Sequence, residues 1–187
     1  QDILKEKENG GFDAVFVAIG AHLAKKVNIP AQEASKILDA VSFLKEADEN
    51  SDNKPLLGRR VAIYGGGNTA MDAARTAKRL GADEAMIIYR RDREHMPAHE
   101  FEADEALSEG VKIHWLSSIK NMETSSITVE KMQVIDGKAV PTGEYETLEA
   151  DSLILALGQE ADTDFLKHIE GITFKEDGTT VEVNPSM

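Results

Sequence analysis

Short apolar runs alternate with amphipathic stretches along most of the chain. Residues 12–19 (Phe-Asp-Ala-Val-Phe-Val-Ala-Ile) form one such run, ended by Gly20. It predicts a strand buried on both faces, as parallel strands are. Residues 31–47 carry Ile37, Leu38, Val41 and Leu44 at helical spacing with charges between them, which predicts an amphipathic helix. Residues 48–55 are polar and acidic and read as a surface loop.

From residue 61 the alternation becomes regular. Residues 61–64 predict a strand, Gly65-Gly66-Gly67 breaks it, and residues 68–80 form an Ala-rich helical stretch. Gly81 follows where helix C-termini are often capped. Residues 85–89 predict a second strand, 98–108 a helix ending at Gly110, and 111–115 a third strand. This β-α-β-α-β order with short connections implies a parallel sheet with right-handed crossovers. Met71 and Met86 fall on its core faces.

Residues 119–150 break that rhythm. Residues 127–135 are strand-like, Asp136-Gly137 is a hairpin signal, 138–140 return the chain, and 144–149 predict another strand. The segment reads as an antiparallel excursion and not a second domain. Residues 152–157 are again apolar and end at Gly158, mirroring 15–20, and should rejoin the parallel sheet. The expected fold is α/β: a Rossmann-like three-layer parallel sheet with an antiparallel β-meander.

Charge sharpens the picture. Across 187 residues the net charge is −13, which argues against nucleic acid and anionic lipid as partners. No stretch approaches the roughly 20 apolar residues of a membrane span. There is no cysteine, so disulfides, thiolate zinc sites and iron–sulfur ligation within these residues are excluded, and a cytoplasmic setting is expected. The chain opens at Gln1 in a charged stretch and reads as a segment cut from a longer protein. Basic clusters stand out against this background: Arg90, Arg91 and Arg93, then Arg59 and Arg60.

Residues 65–70, Gly65-Gly66-Gly67-Asn68-Thr69-Ala70, fit G-x-G-x-x-G/A. Gly65 permits a tight turn, Gly67 lets the backbone approach a pyrophosphate, and Ala70 lets helix and strand pack closely. The amides and dipole at the helix start then face the anion. A glycine-rich turn without a ligand gives the same letters, but here the motif follows a strand and opens a helix, as the mechanism requires. Sites that prefer NAD place a carboxylate about 20 residues on, at the end of the next strand. Arg90 stands there, 23 residues after Gly67, followed by Arg91. Guanidinium forks bind a 2′-phosphate that a carboxylate would repel, so the pair argues for NADPH over NADH. The alternative is a solvated basic turn paired with Asp92 and Glu94.

No residue is singled out as catalytic and none as a metal ligand. His95 and His99 are four apart with Pro97 between them, and His22, His114 and His168 are isolated. The acidic run 100–109 reads as the wet face of a helix. Hydride chemistry is done by cofactors that the protein orients.

Residues 63–77 (Ile-Tyr-Gly-Gly-Gly-Asn-Thr-Ala-Met-Asp-Ala-Ala-Arg-Thr-Ala) with Tyr-Arg-Arg at 89–91 closely resemble the NADPH-binding region of the glutamate synthase small (beta) subunit family. The pattern continues through Met96-Pro97-Ala98, Glu109-Gly110-Val111, Ala18-Ile19-Gly20 and Ala156-Leu157-Gly158-Gln159. The resemblance implies an FAD- and NADPH-binding oxidoreductase of the FAD/NAD(P)-binding superfamily, in which NADPH gives hydride to FAD for onward electron transfer. It implies that Gly65, Gly67, Asn68 and Thr69 line the pyrophosphate and nicotinamide side and that Arg90 and Arg91 clamp the 2′-phosphate. It places Glu102 near the nicotinamide, and Gly20 and Gly158 at two crossings toward an FAD domain. The family's FAD fingerprint, its terminal Gly-Asp motif and its cysteine-rich segment do not occur in these residues. The expectation is therefore a single NAD(P)-binding domain over 1–187. Its core is 59–118, its meander 119–150, and the stretches 1–58 and 151–187 include the crossings. FAD is expected in the parent protein and not held by this chain alone. The implied partners are the FAD domain of the same parent and an iron–sulfur or glutamate synthase large-subunit partner. Two readings compete: a nucleotide-sensing or assembly module with a vestigial loop, and a flavin-free dehydrogenase, for which no catalytic base is found.

Overall fold

The computed structural model describes residues 9–21, 23–25, 27–31, 36–47 and 55–183. The chain divides into two units, one of residues 24–159 and one of residues 1–23 and 160–187. The chain passes between the units at two two-residue strands, β1 (Leu23–Ala24) and β10 (Gln159–Glu160).

The 24–159 unit is built on a five-stranded sheet. Its strands are β2 (Lys36–Asp39), β3 (Arg60–Tyr64), β4 (Glu84–Ile88), β5 (Lys112–His114) and β9 (Ser152–Leu155), in the order β2-β9-β3-β4-β5 with every pair parallel. Helices α1 (Ala40–Glu46), α2 (Asn68–Arg79) and α3 (Glu100–Ser108) connect them. Strand alternation splits the core in two. Val61, Ile63, Ala85, Ile87 and Ile154 face the helices and pack with Phe43, Ala73, Ala77 and Ala106. Ala62, Met86, Ile88 and Leu153 face the other way, onto Ile119, Met122, Ile127 and Val129 of an antiparallel sheet. The result is three layers: helices, parallel sheet, meander. In α2 the fully buried Ala70, Ala73, Ala74 and Ala77 recur at helical spacing, so the helix lies close to the sheet. Met71 and Met86 are both buried, as expected of core residues.

The meander consists of β6 (Ser117–Met122), β7 (Ser126–Ile135) and β8 (Lys138–Glu149). Its hairpin turns at Asp136-Gly137, both with positive φ, as an Asp-Gly signal requires. The sequence pattern predicts β8 as two pieces, but it is one strand. The register between β7 and β8 shifts at Glu130/Met132, opposite Pro141-Thr142-Gly143, so a bulge absorbs the break in the sequence pattern. β6 buries Ser117, Ile119 and Met122, with a register shift between Ile119 and Asn121; because the first of these is polar and the spacing breaks, it lacks the apolar alternation that announces a strand.

Two expectations need correction. Of the helix expected over 31–47, residues 32–35 lie outside the described residues, 36–39 are a strand and 40–46 a helix. Ile37 and Leu38 pair with Leu153 and Ile154 of β9, and only α1 is helical. Asp39 makes the change of structure by accepting the amides of Val41 and Ser42 at 3.1 and 3.0 Å. Residues 48–54 of the expected loop lie outside the described residues. The strand expected over 12–19 is not formed: the segment has no regular secondary structure, and Phe16 is 92% exposed. An apolar run becomes a strand only where another strand supplies its ladder, and among the described residues none does. In the same unit Asp164–His168 is a 3₁₀ helix with Leu166 buried.

The return of the chain from meander to parallel sheet is fastened at one place. Asp151 accepts the amides of Arg59 and Arg60 at 2.9 and 2.8 Å and the Arg60 guanidinium at 2.9 Å. Ser152 beside it is fully buried and donates its hydroxyl to the Leu57 carbonyl at 2.7 Å. The Arg60 guanidinium, helped by the two amides, holds the Asp151 carboxyl below its ordinary pKa against the opposing effect of burial. Asp151→Ala should therefore destabilise the fold at neutral pH by about 2–3 kcal/mol, because two amides and a guanidinium lose their acceptor. Because the folded-state pKa is depressed, this contribution is present above the unfolded value of about 4 and is lost as pH falls through the folded value. Urea unfolding of wild type and variant should differ at pH 7 and converge near pH 2; an equal gap at both would mean that the carboxylate charge is irrelevant.

Candidate functional site

A cavity of about 550 Å³ opens where the C-terminal ends of β3, β4 and β9 meet the start of α2. This is the end of a parallel sheet at which open α/β folds hold their ligands.

Its floor is the turn Gly65-Gly66-Gly67. Gly65 has φ +151°, and a Cβ there would stand 2.2 Å from the Ala156 carbonyl oxygen of the neighbouring strand end. A Cβ on Gly66 would stand 2.4 Å from the Tyr89 ring. The turn is fixed further by Gly65 N–H donating to Ile88 O at 3.1 Å and Ala98 N–H donating to Gly66 O at 3.0 Å. Gly67 differs. Its φ is an ordinary −92°, and a Cβ would meet nothing within 4 Å. It is the N-cap of α2 and makes no side-chain cap hydrogen bond. Where a Ser or Asp side chain would occupy the first amides of the helix, Gly67 supplies none, and Gly67 and Thr69 both line the cavity, so this helix start is where an anion can bind.

Thr69 lines the cavity beside the glycines, while Ala70 is fully buried and seats the helix on the sheet. The Asn68 side chain is engaged elsewhere. Its Oδ1 accepts His99 N–H at 3.0 Å, which ties the loop before α3 to the glycine turn. Arg90 and Arg91 both line the cavity from the end of β4. Arg91 is held in place by Tyr89, donating Nε–H to the hydroxyl at 3.1 Å with its guanidinium 5.8 Å from the ring centre. Tyr89 in turn donates to the His95 carbonyl at 2.6 Å. Gly158 also lines the cavity, and Gly20 belongs to the other unit.

Glu102 is not among the lining residues. Its carboxylate faces Arg75 at 3.5 Å, alongside Glu105 at 2.9 Å and Glu109 at 2.7 Å. The bond from Glu109 raises the Arg75 pKa and the same bond lowers that of Glu109, so this cluster is an ion-pair network between α2 and α3. The wet face expected of residues 100–109 thus has a paired side. His95 bonds Asp92 at 2.6 Å and His99 stacks on Phe101. His114 is half-buried, and burial lowers its pKa. Among the described residues no group of three His, Asp or Glu is arranged to hold a metal ion, and no helix is long and apolar enough to cross a membrane.

Lys25, Tyr64, Tyr89, Pro97, Ala156 and Leu157 also line the cavity, although sequence reasoning does not single them out as site residues. Lys25 carries a signal, since any cation is notable in a chain of net charge −13. The others contribute through where the backbone turns, which side-chain type does not reveal.

The family model of pyridine nucleotide-disulphide oxidoreductases matches residues 1–187. The beta subunit of an NADP(+)-dependent formate dehydrogenase from Moorella thermoacetica is 35% identical over 181 residues, covering 88% of this chain and 25% of that protein. A glutamate synthase [NADPH] small chain, so named in Cereibacter sphaeroides, is 33% identical over 178 residues, covering 86% of this chain and 43% of the relative. The chain thus spans well under half the length of these relatives. The structure of Mycobacterium tuberculosis FprA in complex with NADPH superposes with a TM-score of 0.68 at 19% identity, covering 95% of this chain and 56% of that one, a likeness of fold. The three-layer α/β architecture and the match over its whole length show that this chain belongs to the pyridine nucleotide-disulphide oxidoreductase family, with relatives among glutamate synthase small chains and other NADPH oxidoreductase subunits.

Proposed function

We propose that this chain is the NADPH-binding domain of an FAD-dependent oxidoreductase. The observation that carries the reading is the cavity itself: Gly67 and Thr69 at the uncapped start of α2 line it with Arg90 and Arg91, and among the described residues no carboxylate does. That donor set fits a nucleotide with a pyrophosphate and a 2′-phosphate. Open space at Gly67 and the amides opening α2 receive the pyrophosphate, with Thr69 beside them. Arg90 and Arg91 receive the 2′-phosphate, and the Tyr89 contacts pre-set the Arg91 fork. Asn68 and Glu102 support this site from behind, through His99 and Arg75. NADPH held here would supply a hydride for the FAD of the parent protein, the source of electrons for a further acceptor. The chain's own residues supply binding and orientation. Residues 59–118 are the nucleotide-binding core, 119–150 back it, and Gly20 and Gly158 mark the crossings toward the FAD domain of a longer protein. The greater length of the relatives supports such a parent. The FAD domain and an electron-transfer subunit are the partners of that protein, with the cytoplasm as its setting.

Titration with NADPH and NADH tests the specificity. Wild type should favour NADPH by about a hundredfold at low salt, two charge-assisted phosphate contacts being at stake. The Arg90→Ala/Arg91→Ala double variant should bring the two affinities within a few-fold of each other. Equal affinities in the wild type would sink the reading.

The glycines separate fold from binding. Gly65→Ala should cost about 3 kcal/mol or more, since its Cβ meets backbone that cannot retreat. Gly67→Ala should leave the unfolding free energy within about 0.5 kcal/mol of wild type yet weaken NADPH binding about tenfold or more, because its methyl group fills the space assigned to the pyrophosphate. A Gly67→Ala protein that binds NADPH normally would place the pyrophosphate elsewhere.

A further inference from the structure

The cavity has a third cation, on the wall away from the arginines. Lys25 follows β1, and its backbone N–H donates to the Gly158 carbonyl at 3.1 Å. Its side chain runs over Gly158, with Cδ 3.8 Å from where a Gly158 Cβ would stand. Lys25 and Gly158 both line the cavity that holds Thr69 and the glycine turn. Arg90 and Arg91 come from the end of β4. Lys25 arrives instead beside the end of β9, and β3 separates those two strands in the sheet. A ligand lying across the strand ends therefore meets the arginines at one side and Lys25 at the other.

On the reading that the cavity holds a dinucleotide, we propose that Lys25 binds the pyrophosphate and the ribose on its nicotinamide side, from the wall opposite the arginines. The charges support this division. A dinucleotide phosphate carries negative charge at two separate places, and the arginines answer only the terminal one. Near the pyrophosphate the other donors are neutral amides. A lysine ammonium is a compact point charge on a flexible stem, suited to following a diphosphate without fork geometry. Among the described residues, the lining carries three cations and no carboxylate, in a chain of net charge −13. Lys25 then sets affinity for the part common to NADH and NADPH, while Arg90 and Arg91 set the choice between them.

The test uses Lys25→Gln, Lys25→Arg and the Arg90→Ala/Arg91→Ala variant. NADPH, NADH, ADP-ribose and 2′,5′-ADP are titrated against each at several salt concentrations. Lys25→Gln should weaken NADPH, NADH and ADP-ribose by a common factor of about tenfold, leave the NADPH-to-NADH ratio unchanged and affect 2′,5′-ADP clearly less, since it lacks the nicotinamide-side phosphate and ribose. It should also flatten the salt dependence for the first three, and Lys25→Arg should restore most of the binding. Loss confined to NADPH and 2′,5′-ADP would assign Lys25 to the 2′-phosphate and overturn the proposal, as would a Lys25→Gln protein that binds all four ligands like wild type. Failure of the wild type to bind any of them would instead overturn the dinucleotide reading on which the proposal rests.

Discussion

The site depends on one steric constraint: the turn at Gly65-Gly66 is held between two walls that leave no room for a side chain. Ala156 presses on Gly65 from the end of β9, and the Tyr89 ring presses on Gly66 from the end of β4. Three strand ends converge there, and the turn is where they touch. Because both walls are in place, the chain enters α2 at Gly67, and the helix start at Gly67 and Thr69 lines the cavity. The same closeness aims Arg91, since the Tyr89 that stands on Gly66 also holds the Arg91 guanidinium. Sterics at the glycines and electrostatics at the arginines are thus one arrangement.

That constraint requires β9 to lie between β2 and β3, although about 90 residues separate it from β3 in the chain. The insertion is fastened at the opposite end of the strand, where Asp151 and Ser152 bind the backbone that opens β3. The clasp sets the register Val61↔Ser152 and Tyr64↔Leu155, and this register delivers Ala156 to Gly65. The Ala156 amide then closes on the Tyr64 carbonyl at 2.8 Å. The meander has a structural reason in this scheme. It covers Ala62, Met86, Ile88 and Leu153, a sheet face that would otherwise be wet, while its two ends lead from β5 to β9. A burial requirement and a topological one are met by the same 33-residue excursion between Ser117 and Glu149.

Most of this is legible in the sequence where pattern and chemistry coincide. The strands β3, β4 and β9 and helix α2 can be read because apolar periodicity, glycine punctuation and Ala-rich packing all agree there. Arg90 and Arg91 can be read because their position is fixed by counting from the glycines. Three things cannot. The 36–39 strand reads as helix, since Ile37 and Leu38 satisfy either period, and pairing with a strand more than a hundred residues away decides between them. β8 reads as two pieces, broken at Pro141 and Gly143, because a bulge is visible only in register. The places of Asn68 and Glu102 follow from family resemblance alone, but hydrogen-bond partners decide where a side chain points. His99 and Arg75 claim them here.

Glu102 and Arg75 bear on the electrostatics of the whole site. Arg75 lies on α2, the helix whose start faces the cavity, and three carboxylates of or next to α3 converge on its guanidinium. Arg79 on the next turn shares Glu109. The acidic residues of α3 are therefore drawn to the middle and far end of α2, where the negative pole of its dipole welcomes the two arginines. Had Glu102 turned toward the glycine loop, its charge would sit beside the helix start and oppose any anion there. Pairing it with Arg75 removes that opposition and binds α3 to α2. The loop 97–99 is then positioned twice, by Ala98 on Gly66 and by His99 on Asn68. An acidic chain thus keeps an electropositive cavity by neutralising its own carboxylates at the back of the helix that the cavity uses.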